Sequence, residues 1–246
     1  MRTALLGGDW DGLEAALRDA SGRVVADIGA PELRLAQDEL DNRTILLEIS
    51  SALQRGRPQG RPGRLYIGAV DTRPLEASLD LAARLGPKTA EAQQMLFSGK
   101  VIARLRACLL NEDLRQAAIT LEAMQGQLLA SVAVAEARAV QDEVDNWVLI
   151  AELSGALTTA GPGGVVGALD LSGVGTARLE AAVPHAEEIG VKTPEAASLL
   201  AAAKLVLRLR SALLQVGRGR GREGSSSRCG ARADSFSPPL AGPLDR

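Results

Sequence analysis

Gln37-Asp38-Glu39-Leu40-Asp41-Asn42 returns as Gln141-Asp142-Glu143-Val144-Asp145-Asn146. The interval is about 104 positions, and this recurrence decides how the whole chain is read. Working outward, Leu75-Glu76-Ala77 comes back as Leu179-Glu180-Ala181, and Lys88-Thr89 as Lys192-Thr193. Lys100, Arg104, Leu105 and Arg106 come back as Lys204, Arg208, Leu209 and Arg210. Shifted by this interval, the stretch from Arg2 to Leu110 aligns without a gap, and about 40 of roughly 109 positions are identical, far above chance. Register kept over such a length implies a duplication in which both copies retain one fold.

Each copy reads as four helices. The first runs from about Asp9 to Ser21, with Asp9 as N-cap and Leu13, Ala16 and Leu17 on one face. The second starts at Pro31, which suits a first helical turn, and reaches Gln54 with an apolar stripe of Leu35, Leu46, Ile49 and Leu53. Glycine and proline then break the pattern, from Arg55 to Gly63 and from Gly161 to Gly167, and both segments read as loops. Leu65-Tyr66-Ile67 and Leu169-Asp170-Leu171 read as short extended pieces rather than a sheet. The third helix begins at Thr72 or Thr176 as N-cap and ends near Leu85 or Ile189, where Gly86 and Gly190 supply the left-handed residue. Thr89 and Thr193 cap a fourth helix.

The expected fold is therefore all-α: two tandem four-helix repeats of about 104 residues, an α-solenoid or elongated helical bundle, with short extended pieces in the inter-helix loops. Residues 1–110 form the first copy and residues 111–214 the second. Residues 215–246, rich in Gly, Arg, Ser and Pro, read as a disordered tail. Arg2 to Leu6 matches Arg106 to Leu110, so the first copy is expected to start inside the last turn of a truncated helix. The expectation is a fragment of a longer array.

Composition narrows the function classes. Hydrophobic residues make up 46% and aromatics 2%, so the core is Ala, Leu and Val, and stacking platforms for bases are disfavoured. A net charge of −2 gives no global pull toward nucleic acid or anionic membrane. No stretch approaches the roughly 18 unbroken apolar residues of a membrane span. Cys108 and Cys229 are too few for a disulfide framework or a zinc site, which points to an intracellular, cytoplasmic setting.

The residues singled out are two charged faces. Asp38, Asp41 and Asn42 share one side of the second helix, as do Asp142, Asp145 and Asn146. Lys100 and Arg104, and likewise Lys204 and Arg208, form a basic stripe on the fourth helix, with Arg106 and Arg210 on a different side. The economical expectation is that acidic and basic faces pair. The acidic box lacks the form of a calcium loop. Gly86-Pro87-Lys88-Thr89 departs from the phosphate-loop pattern, and His185 stands without a catalytic constellation. No catalytic residue, cofactor or metal is expected.

The expected function is a non-enzymatic helical-repeat scaffold or protein–protein interaction module, part of a larger repeat protein. Its partner is another protein, with self-association through unfinished repeat ends; nucleic acid is disfavoured. The alternative is a binding module whose basic C-terminal helix and tail engage calmodulin, anionic lipid or RNA.

Overall fold

Small aliphatic residues at helical spacing make the described residues mostly helical in the computed structural model, which describes residues 8–21, 30–165 and 168–226 (side chains of 21, 30 and 217–226 excepted). The helices are α1 (Trp10–Ser21), α2 (Ala30–Gln54), α3 (Arg73–Leu85), α4 (Ala90–Leu110), α5 (Leu114–Ala123), α6 (Ser131–Leu157), α7 (Ala177–Ile189) and α8 (Pro194–Ser226). Two small hairpins interrupt them, β1 (Gln59–Arg61) with β2 (Arg64–Tyr66), and β3 (Gly163–Val165) with β4 (Ala168–Asp170).

The chain divides into two compact units, one of Met1–Ala151 with Ile189–Ala197, the other of Glu152–Glu188 with Ser198–Arg246. These packing units do not share the boundary of the sequence copies. In the first unit α2 packs on α3 and α4, and α4 also packs on α5. Its core joins Ile45, Ile49 and Leu53 to Leu75, Ile102, Leu105 and Leu109, and continues through Leu121 to Val140 and Val144. Each such aliphatic side chain, fully buried, contributes about 1.5–3 kcal/mol before chain entropy is counted. In the second unit Leu179 and Ala186 of α7, Leu153 of α6 and Ala203 of α8 are buried.

Helix starts follow the expected chemistry at most positions. Asp9 Oδ1 accepts from Gly12 N at 2.9 Å, and Asp113 Oδ1 from Gln116 N at the same distance. Thr89 and Thr193 each accept, at 3.2 Å, from the amide three residues on. Thr72 stands at the start of α3 but makes no capping bond. Asp71 takes over: its Oδ1 accepts from Arg73 N at 3.0 Å, and its carboxylate also holds the Arg73 guanidinium. The hydrogen bonds from Arg73 hold the Asp71 carboxyl below its ordinary value.

Three expectations need correction. Leu35 does not belong to the apolar stripe: it is 68% exposed, and Ala36 beside it is the buried residue. By spacing Leu35 lies five full turns from Leu53 on the same side, so the buried side of α2 changes along its length: its start, which also has α1 as a neighbour, buries Ala36, and its later turns bury Ile45, Ile49 and Leu53. The glycine-rich segments are not plain loops but two-stranded antiparallel ladders, pairing Gln59 with Tyr66 and Gly163 with Asp170. Pro62 presets φ, and Gly63 adopts a positive φ of 75°, the combination a type II turn requires. Finally, α8 does not stop at Leu214 but runs on to Ser226. Glycine costs a helix only about 1 kcal/mol per residue, and no proline intervenes. The rest of the expected tail, residues 227–246, lies outside the described residues.

Candidate functional site

Helix α4 presents Val101, Ile102, Leu105, Cys108 and Leu109 to the core, and Arg106 falls among them. A guanidinium there needs a partner for every donor, since each unmatched one carries a desolvation cost of about 1–3 kcal/mol. All five of its N–H donors find one. Nη1 donates to Arg55 O at 2.8 Å and to Asp71 O at 3.1 Å, and Nη2 donates to Leu53 O at 2.9 Å. These carbonyls include the unsatisfied end of α2, where the helix dipole favours a cation. Nε and the second hydrogen of Nη2 hold both carboxylate oxygens of Glu136, at 2.7 and 2.9 Å. Arg106 is 0% exposed and Glu136 2%. The bidentate pair therefore ties α4 to the second turn of α6.

Arg210, about 104 positions on, repeats the carbonyl side of this arrangement. Nη1 donates to Thr159 Oγ1 at 2.9 Å and Gly175 O at 3.0 Å, and Nη2 to Thr159 O at 2.8 Å. Thr159 and Gly175 stand where the first copy has Arg55 and Asp71. Arg210 is 6% exposed. Among the described residues no carboxylate reaches it. Its Nε and one hydrogen of Nη2, the donors that grip Glu136 in Arg106, have no protein acceptor there. None of its polar atoms is sealed from solvent without a partner, so this edge opens to the surface.

The apolar surroundings differ in the same sense. Val101 and Leu105 on α4 are 7% and 0% exposed, while their counterparts on α8, Leu205 and Leu209, are 59% and 55% exposed. In the first unit α5 packs on α4, and the buried Ala133, Ala137 and Val140 of α6 join that core. Val216 continues the open face of α8.

The charged faces read from sequence sit elsewhere. Asn42 is buried and structural: its Oδ1 accepts from Lys88 N at 2.8 Å and Thr89 N at 3.3 Å, and its amide donates to Asp38 O. Asn146 is also buried and accepts from Thr193 Oγ1 at 2.7 Å. Asp41 and Asp145 accept from Gln37 and Gln141, one turn earlier on the same helix. Asp142 pairs with Lys192 at 3.1 Å, and Lys204 pairs with Glu187. Lys100, Arg104 and Arg208 are exposed. Among the described residues no ion pair joins the acidic box to the basic stripe.

His185 Nδ1 lies 2.7 Å from Glu152 Oε2, both half exposed. Cys108 is a buried free thiol, its pKa pushed up by burial and then by the charge of Asp113. Among the described residues no group of three or more His, Cys, Asp or Glu could hold a metal ion, and no helix is long and apolar enough to cross a membrane.

The sequence reading set Arg106 and Arg210 apart from the basic stripe without giving them a role, and it passed over Glu136. The signal was present: arginine recurs at 2, 106 and 210, and glutamate at 32 and 136, all in one register. Compared with family models, curated proteins and solved structures, the chain matches none.

Proposed function

We propose that this chain is a non-enzymatic helical-repeat scaffold, two stacked copies of one unit of about 104 residues that offer a surface to another protein. The observation that carries this reading is the recurrent buried arginine. Arg106 and Arg210 seat on carbonyls at matching positions, and Arg106 also grips Glu136, which lies beyond Leu110 in the next sequence copy. Both hairpins keep the same register, which supports one unit used twice. A buried arginine serving as a fastener between consecutive units is a feature of assembly, not of catalysis. On this reading the protein works in a reducing, intracellular setting, which suits the buried free thiol of Cys108.

The test is affinity capture with the chain shortened after Val216. The shortened protein should keep a cooperative helical melt and retain a discrete protein partner. Loss of the partner on charge reversal of exposed Arg208 and half-exposed Lys204, with folding intact, favours the other reading, in which α8 engages calmodulin, anionic lipid or RNA. The exposed Leu205 and Leu209 on the same helix are the observation that supports that alternative. Arg210 is left out of the charge reversal because it is buried.

A further inference from the structure

We infer that Arg210, with the open face of α8 around it, is a seat for a helical hairpin on another protein, one whose second helix carries a glutamate near its start. The inference rests on the scaffold reading and names the partner's chemistry. Its template is within the molecule. On α4 the same face is taken by α5 and the beginning of α6, with Glu136 on Nε and Nη2 of Arg106 and Ala133, Ala137 and Val140 in the adjoining core.

On α8 the guanidinium is already oriented by Thr159 and Gly175, with the same two donors turned outward. A fork held in place loses little freedom when a bidentate acceptor arrives, and the matching donors of Arg106, held by Glu136, single out a carboxylate as that acceptor. Leu205, Leu209 and Val216 supply the apolar area next to the charge. An incoming glutamate alone would gain little; flanked by small aliphatic residues in the spacing of Ala133, Glu136, Ala137 and Val140, it is shielded from water as Glu136 is.

A second copy of this chain is the less fitting occupant. Its matching segment is α1–α2, with Glu32 in the place of Glu136. Glu32 already has a partner in its own chain, and Ala36, the counterpart of Val140, is already 0% exposed.

The experiment uses the full chain and, as probe, a labelled peptide spanning residues 111–150 of this same sequence. Fluorescence anisotropy should show saturable binding. A Glu136→Gln peptide should bind about 30-fold or more weakly, as expected for removal of one member of a shielded charge pair. Leu209→Glu in the chain, an exposed change that leaves the fold intact, should abolish binding, and Arg210→Lys should weaken it. No binding, or binding indifferent to Glu136→Gln and Leu209→Glu, overturns the inference. So does a wild-type chain that is already dimeric in light scattering and becomes monomeric with Leu209→Glu, because the seat then belongs to a second copy. Each of these failures leaves the scaffold reading standing if the helical melt and the Arg106–Glu136 coupling persist.

Discussion

Replacing Glu136 by alanine should be among the most destabilising single changes in the first unit, and its size follows from what surrounds Arg106. The substitution removes the carboxylate but leaves a guanidinium that is 0% exposed. Two of its five donors lose their acceptors, while Leu53 O, Arg55 O and Asp71 O still hold the other three. Breaking a buried pair from one side costs about 3–5 kcal/mol, and the remaining carbonyls place this case at the lower end. Alanine returns a few tenths of a kcal/mol in helix propensity, too little to matter. Against a total stability of about 5–15 kcal/mol, the loss is a large fraction. With a urea dependence of about 2 kcal/mol per molar, the unfolding midpoint should fall by about 1.5 M.

Arg106→Met should cost at least as much, since it strands Glu136 and three carbonyls together. The double variant should then cost less than the sum of the singles by about 2–3 kcal/mol. Arg210→Met is the internal control. It strands only Thr159 and Gly175 acceptors and leaves no buried carboxylate behind, so about 1–2 kcal/mol is expected. The reasoning is refuted if Glu136→Ala shifts stability by less than about 1 kcal/mol, or if the pair shows no coupling.

Asn42→Ala should cost about 0.5–1.5 kcal/mol, because the amides of Lys88 and Thr89 lose their part-buried acceptor; hydrogen exchange at those two amides should accelerate more than within α4. Leu53→Ala should cost about 2–5 kcal/mol, whereas Leu35→Ala should stay within about 0.5 kcal/mol; equal effects would contradict the assigned face of α2. The Asp71 carboxyl is depressed in the folded state, so its contribution is present above the ordinary value of 3.8 and is lost as pH falls through the lower folded value. Arg73→Ala should therefore narrow the gap to wild type in acid, and urea midpoints measured across pH 2–6 would show whether it does.

Much of the fold was legible because the signals were local or doubled. Asp9, Asp113, Thr89 and Thr193 announce helix starts by their own side-chain chemistry, and the chain states each start twice. The hairpins were less legible. Glycine and proline density looks the same in a loop and in a tight two-stranded turn, and only the pairing of Gln59 with Tyr66 separates them. The acidic box was found, but the contacts its members make were not. A run of Asp and Asn that recurs on two helices suggests charge pairing, yet the informative residue is the uncharged Asn42, which accepts from a turn about 46 positions away. Spacing along one helix carries no information about such a partner.

Arg106 eluded the sequence for the opposite reason. Its spacing sets it on a different side from Lys100 and Arg104, but one helix alone does not say that this side is buried or which carboxylate meets it. What distinguishes it is the company of Leu105 and Leu109 on a buried face, together with a glutamate in register on the following copy. That pairing has a mechanical meaning in a core with so few aromatic anchors. Cores of Ala, Val and Leu tolerate repacking and lose uniqueness before they lose stability. A well-packed methionine and leucine in place of the pair would match its stability, since desolvation offsets most of the Coulomb gain. What they would lack is direction: five donors meeting acceptors from the end of α2, from Asp71 and from α6 are satisfied in one arrangement only. On the scaffold reading, the arginine is what turns a permissive apolar stack into one with a fixed register. An open copy of that register mark at Arg210 then specifies which surface can be added next.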